Sequence, residues 1–436
     1  MDPIALLMAT FFVLIFLRVE ISFALAASSL LVIWVEDLPL ISALNQMYTG
    51  IDSFPLLAVP FFMFLGRLLN DSGITDRLLR VADASVGHIR GGLGHVNVFV
   101  SMIFASLSGS AAADTASIGA ILIPAMKKAG YDPGFSVALT AASSTLGVII
   151  PPSIILVIYG AFGNVSIGAL FWGGFVPGIL IGLAMMAYTY VMALKYGYPA
   201  NPRATFREWR HAVRRGLLPL AIPVLILGGV TGGVFTPTEA AIIAVGWAML
   251  LAFAIYRTIA IASLPRMLGE AVVDFAIPLF TVAAASIFGW LISYLGAADL
   301  VVNAITSITD DPFGLMLLLV IFLLIIGTFL NPISAVLIFL PIIQQLGDEA
   351  GTDPVQLGVI TIMTLAIGLV TPPYGVCLLI AAQIGQISVQ RALVAVLPIC
   401  ALTVGIIVLS ILVPDIILGL PKLMMPQIFA MPGGGG

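Results

Sequence analysis

The amino-acid sequence predicts an all-α polytopic membrane protein built from two inverted repeats, each holding a re-entrant helical hairpin and a broken helix. Three observations predict it: the composition, the side on which basic residues collect, and an internal repeat. Of 436 residues, 61% are hydrophobic and 9% charged, against about 25% charged in soluble domains. The mean hydropathy is +1.18. Only helices and closed barrels satisfy the backbone inside lipid. Continuous apolar runs such as Leu315 to Leu330, rather than short alternating strands, select helices.

Taken in order, apolar spans are expected near residues 3–17, 20–36, 54–70, 166–195, 217–234, 237–256, 271–295 and 388–419. Gly, Pro or polar clusters interrupt four further segments, read as hairpins at 91–126 and 312–346 and broken helices at 133–163 and 354–386. The first repeat occupies 1–200, a basic cytoplasmic linker 201–215, the second repeat 216–420 and a tail 421–436. The closing Gly433 to Gly436 run carries no fold signal.

Basic residues near span ends mark the cytoplasmic side. Sixteen of the 17 Lys and Arg fall on one side, from Arg18 through Arg203 to Arg215 and on to Arg391, with only Lys422 opposite. The other side collects acids such as Glu36, Asp52, Asp310 and Asp353. This asymmetry requires both hairpins to return to the side they entered from. It puts both termini on the outer side and the Arg203–Arg215 loop in the cytoplasm.

The repeat is read from spacing. Asp132-Pro133, Thr140, Gly147, Pro151-Pro152 and Pro177 recur 221 positions later as Asp353-Pro354, Thr361, Gly368, Pro372-Pro373 and Pro398. Upstream the offset is 217, pairing Asp114, Ser117 and Pro124 with Asn331, Ser334 and Pro341. Further back, Ala58 to Phe62 resembles Ala276 to Phe280. An odd number of crossings per half inverts the second repeat. Inverted repeats with broken helices are a recurring design of secondary transporters, with substrate and ions near the midplane.

Two polar clusters interrupt the hairpins. Ser106 to Ser117 gathers hydroxyls around Gly109 and ends near Asp114. Gly permits a turn, and freed carbonyls and hydroxyls suit a hard cation such as Na⁺. A carboxylate facing lipid costs ~2.5–3.5 kcal/mol or more, so Asp114 should face protein, a cavity or a cation. Close packing of small residues is the competing account. The second cluster runs from Gly327 to Ser334, where Asn331 stands for Asp114 or caps the helix begun by Pro332. Beyond them lie the breaks Gly147 to Ser153 and Gly368 to Tyr374. Paired prolines, Pro151-Pro152 and Pro372-Pro373, remove donors and free carbonyls. The half-helix after each break offers N-terminal amides to an anion. A plain structural kink is the competing account.

Other chemistry is excluded. No lysine sits in a phosphate-binding Gly-rich loop. Cys377 and Cys400 imply no disulfide, and His88, His95 and His211 lack metal-ligand spacing, so no transition metal is expected. A proton-pumping redox subunit would need embedded Lys and Glu residues, and an intramembrane hydrolase a paired nucleophile and base. No enzyme, cofactor or nucleic-acid partner is expected.

Ser108-Gly109-Ser110, Ile121 to Met126, Gly130-Tyr131-Asp132-Pro133 and Ile150-Pro151-Pro152-Ser153-Ile154 together resemble the large membrane subunit of tripartite ATP-independent periplasmic (TRAP) transporters. Asp52 to Phe62 and Thr236 to Ala241 match the same habit, while Val148 departs from an expected Pro. The resemblance implies an elevator transporter importing organic acids on a Na⁺ gradient. Its partners would be a small four-helix membrane subunit and a soluble periplasmic binding protein. Carried over, the ion sites fall on Ser108, Ser110, Asp114, Thr145 and Gly147, and on Thr328, Asn331, Ser334, Gly368 and Thr371. A stand-alone divalent-anion/Na⁺ symporter of related architecture is the alternative.

Overall fold

Local capping chemistry sets most helix starts. Asp2, Asp132, Asp311, Asn331 and Asp353 each precede a proline at the first helical position and accept a backbone N–H with the side chain. Proline loses nothing there, because that amide has no intrahelical partner. Thr205 with Glu208 and Thr236 with Glu239 form capping boxes, each satisfying two orphan donors.

The computed structural model describes residues 2–429, and every element among them is helical. The tail's Gly433 to Gly436 lies outside the described residues. The chain opens with α1 (Pro3–Phe16), α2 (Ile21–Val35), α3 (Leu40–Ile51), α4 (Ala58–Asp71) and α5 (Ile74–Val86). The first helix pair is α6 (Gly92–Ser108) with α7 (Ala111–Lys128), and the first broken helix is α8 (Pro133–Ser144) with α9 (Ile154–Gly163). Then come α10 (Ile167–Tyr196), α11 (Phe206–Thr231), α12 (Pro237–Met249), α13 (Leu264–Tyr294) and α14 (Ala297–Thr306). The second pair is α15 (Pro312–Phe329) with α16 (Pro332–Glu349), and the second broken helix is α17 (Pro354–Gly368) with α18 (Val376–Gly385). The described chain closes with α19 (Val389–Leu412), α20 (Asp415–Met424) and α21 (Pro426–Phe429). Seven of these helices, with their short extensions, are long and apolar enough to cross a membrane.

The halves pack reciprocally. The half-helix α18 packs on α7 and α8 of the first half, and α9 packs on α16 and α17 of the second. Likewise α2 packs on α13 and α12 on α4. Lys127 at the end of α7 donates to the carbonyl of Gly385 at the end of α18 (2.8 Å), and Gln344 in α16 donates to that of Gly163 at the end of α9 (2.9 Å). The hairpins and broken helices thus form one interlocked body. A scaffold of α1–α4 and α11–α13 lies against it through α4–α6 and α13–α16 contacts.

Several elements differ from expectation. The 201–215 linker is helical from Phe206 onward, because the Thr205–Glu208 capping box starts α11 within the basic run. The 388–419 span is two helices, parted at Val413-Pro414. The short helices α3, α5 and α14, and the separate α20, have mixed polar and apolar faces, and a search for long apolar runs passes over them. At 14 and 15 residues, α1 and α2 are shorter than the ~20 a straight span needs. The first half's α3 and α4 are separate helices, while α13 runs unbroken for 31 residues.

Candidate functional site

The two hairpin tips are tight. Gly109, with φ of 62°, and Ser110 join α6 to α7; Leu330 and Asn331 join α15 to α16. At the first tip Ser108 Oγ donates to Asp114 Oδ1 at 2.5 Å and accepts from the Ser110 amide at 3.3 Å. Asp114 is fully buried, and its Oδ2 has no hydrogen-bond partner among the described residues. That oxygen lies against Gly147: a Cβ there would stand 2.7 Å from it and 3.4 Å from the Ala111 amide. Glycine is what lets the break come this close to the tip.

The second tip meets its break differently. Gly368 packs its Cα directly on the Gly327 backbone, and the Tyr374 amide donates to the Thr328 carbonyl at 2.7 Å. Asn331 Oδ1 accepts from the Ser334 amide at 2.8 Å, so the capping role is real. Ser334 Oγ is buried without a hydrogen-bond partner among the described residues. Both Pro151-Pro152 and Pro372-Pro373 bonds are cis. Ser153 Oγ caps α9 at Leu156 and also donates to the Val148 carbonyl.

Register between the tips depends on the landmark. Fourteen positions separate the cap Ser110 from Pro124 in α7, and ten separate the cap Asn331 from Pro341 in α16. Matched by caps, Asn331 corresponds to Ser110; matched by the prolines and by Lys127 and Gln344, it corresponds to Asp114. The difference of four is about one helical turn. Between cap and proline the first helix therefore has one extra turn, which ends at Asp114, although both helices are 18 residues long.

A cavity of about 280 Å³ opens where the tips and breaks converge. Gly109, Ser110 and Asn331 line it from the tips, and Val148, Leu369 and Tyr374 from the breaks. Val59 and Met63 of α4 and Ile277, Pro278 and Thr281 of α13 close it from the scaffold. Its walls include the first residues of α7, α9, α16 and α18 and, among the described residues, no Lys, Arg or His. Helix N-termini present partial positive charge and unpaired amides, so this wall suits an anion.

Of the sequence-predicted residues, Ser110 and Asn331 reach the cavity, while Ser108, Asp114 and Gly147 form one contact behind it. In the second half, Gly368 against Gly327 and the Thr328 carbonyl with the Tyr374 amide form the corresponding backbone contacts. Three hydroxyls turn back on their own helices: Thr145 to Ala142, Thr328 to Ile325 and Thr371 to Ile367. Sequence reasoning missed Tyr374 and the scaffold wall. The wall had a signal, since the Ala58–Phe62 and Ala276–Phe280 repeat contains Val59, Ile277 and Pro278. It also missed a buried network in which Asn97 Nδ2 donates to Thr140 Oγ1 (2.6 Å) and the Ser101 and Ser143 hydroxyls meet at 3.0 Å. Among the described residues no three His, Cys, Asp or Glu converge to hold a metal ion.

A solved structure from Neisseria gonorrhoeae, described as MtrF of a class of antimetabolite efflux pumps, is similar over 85% of this chain and 83% of that one. Its TM-score is 0.58 at 14% identity, a likeness of fold alone. Closer in sequence is the sialic acid TRAP transporter large permease protein SiaM of Vibrio cholerae. It is 38% identical across 88% of this chain and 90% of that protein. The C4-dicarboxylate TRAP transporter large permease protein DctM of Pseudomonas aeruginosa is 35% identical across 86% and 88%. The profile described as "Tripartite ATP-independent periplasmic transporter, DctM component" matches residues 8–416. The chain therefore belongs to the DctM family of TRAP transporter large permeases, which are membrane transporters and not enzymes.

Proposed function

We propose that the chain is the permease of a Na⁺-coupled importer for a small organic acid, working by an elevator motion. The observation that carries this is the cavity of about 280 Å³ shared by both tips, both breaks and the scaffold. Its volume lies near the lower end of small-ligand sites, roughly 300 Å³. Four helix N-termini and, among the described residues, no basic side chain line it, so a carboxylate is held by amides and dipoles. The named relatives carry sialic acid and C4-dicarboxylates, both organic anions.

An anion moving inward opposes the inside-negative potential, at ~2.3 kcal/mol per charge per 100 mV. Co-transported cations offset that cost. Na⁺ is a hard ion that takes oxygen ligands, and the tips and breaks supply them. In the first half these are Ser108, Ser110, the free carboxylate oxygen of Asp114, Thr145 and the Gly147 region. In the second they are Thr328, Asn331, Ser334, Gly368 and Thr371. The interlocked body of hairpins and broken helices slides against the scaffold, carrying the cavity from one side to the other, with both hairpins re-entrant. The basic side faces the cytoplasm, and both termini the periplasm. A small four-helix membrane subunit and a soluble periplasmic binding protein complete the transporter. Proteoliposomes holding all three components should take up the acid only with an inward Na⁺ gradient. Equal uptake with choline in place of Na⁺, at unchanged pH gradient, overturns the coupling.

A further inference from the structure

A recess of about 980 Å³, separate from the transport cavity, opens between α5, the first turns of α11 and the segment that follows α12. Four guanidinium groups from three parts of the chain line it: Arg77 and Arg80 on α5, Arg203 just before α11, and Arg215 within α11. Among the described residues none of the four is ion-paired. Arg77 lies over the Tyr256 ring, 3.7 Å from its centre, and donates to the Gly73 carbonyl. Arg80 Nε donates to the Asp76 carbonyl.

Three carboxylates share the wall, and two are engaged locally. Asp83 accepts from Asn201 Nδ2 at 2.6 Å, and Glu208 closes the capping box with Thr205. Asp76 stands in the first turn of α5, where the helix dipole favours it. The recess therefore keeps planar, bidentate donors suited to a phosphate group. Ile255, in the wall, is 46% exposed, and Leu250, one turn earlier in the same segment, and Leu217 on α11 are exposed apolar side chains of the elements that form the recess. A cluster serving only to fix topology needs charge on one side of the membrane. It does not need guanidinium groups from separate segments gathered around one recess that opens beside apolar helix surface.

We propose that this recess binds the phosphodiester headgroup of an anionic phospholipid, with acyl chains leaving along the exposed apolar side chains of α11 and of the segment that follows α12. Basic pockets between membrane helices are a known way to hold such headgroups. Because α5 joins α4 to the first hairpin, a lipid bound here restrains that joint.

The test uses the full purified chain in detergent, titrated with dioctanoyl phosphatidylglycerol and followed by native mass spectrometry and melting temperature. Dioctanoyl phosphatidylcholine and sn-glycerol 3-phosphate serve as the comparison ligands. Phosphatidylglycerol should bind and stabilise more than either. The double variant Arg80→Gln/Arg203→Gln should bind it roughly tenfold or more weakly, at ~1 kcal/mol per basic residue. Arg207→Gln/Arg210→Gln removes equal charge outside the recess and should bind as wild type does. Equal weakening in both double variants overturns the site. Glycerol phosphate stabilising as well as the lipid overturns the lipid assignment. No preference for phosphatidylglycerol over phosphatidylcholine in the wild-type chain overturns the proposal whether or not the variants fold.

Discussion

Gly368→Ala should destabilise the protein, while Gly327→Ala, on the other side of the same contact, should be tolerated. A Cβ at position 368 would overlap the Gly327 carbonyl oxygen and stand 2.5 Å from its carbon and 2.9 Å from its Cα. All three are backbone atoms, so no rotamer change relieves them, and α15 must move away from α17. A Cβ at position 327 would instead find Leu365 Cδ2 at 3.4 Å and the Gly368 Cα at 3.6 Å, which is ordinary contact. Overpacking a tight interior costs ~1–3 kcal/mol. Any helix-propensity gain, up to ~1 kcal/mol in a helix interior, is smaller at Gly368, the last residue of α17, than at Gly327 within α15, and so acts in the same direction as the clash. At about 2 °C per kcal/mol for a large domain, Gly368→Ala should melt roughly 2–6 °C below Gly327→Ala. Thermal unfolding of both purified variants, followed by intrinsic fluorescence, measures this. Melting temperatures within about 1 °C of each other would refute the close approach of second hairpin and second break.

Three further outcomes are expected. Asp114→Ala should raise the Na⁺ concentration needed for transport while expression stays near normal, and Asn331→Ala should show a smaller shift. An unchanged Na⁺ titration in well-folded Asp114→Ala protein removes that carboxylate from the ion site. Arg391→Ala breaks a half-exposed ion pair with Asp132 and should cost under ~1 kcal/mol. Asp132→Ala also removes the cap on the Phe135 amide, worth another ~1 kcal/mol, so a smaller melting loss for Asp132→Ala than for Arg391→Ala contradicts the capping assignment. A cysteine at Gly351 should react with an impermeant thiol reagent from outside and one at Ala204 only from inside, and the reverse pattern overturns the orientation.

The sequence by itself determined what local chemistry and composition control. Lipid admits only helices and closed barrels, because nothing else satisfies the backbone, and continuous apolar runs rather than short alternating strands select helices, so the fold class followed from hydropathy. Helix starts followed from Asp-Pro and Asn-Pro pairs, since a side-chain oxygen and a fixed φ act within one turn. The breaks and tips were legible because proline and glycine act on their own backbone, and the repeat, at offsets of 221 and 217 positions, tied them into pairs. Family membership was legible for the same reason, through the ordered motifs around Ser108 to Ser153.

The tertiary structure alone decided which surfaces meet. Apolar side chains along α4 and α13 look the same whether they face lipid, a neighbour or a cavity, because the hydrophobic effect does not select between helix partners in a membrane. Val59, Met63 and Thr281 therefore emerged as cavity walls only once α4 and α13 were packed against the tips. The extra turn before Asp114 was equally hidden, since a shift of four residues keeps almost the same helix face. Arg80, Arg203 and Arg215 were read along the chain as markers of a membrane side. Packing of α5 against α11 brings them around one recess, because that convergence is long-range geometry that no local pattern encodes.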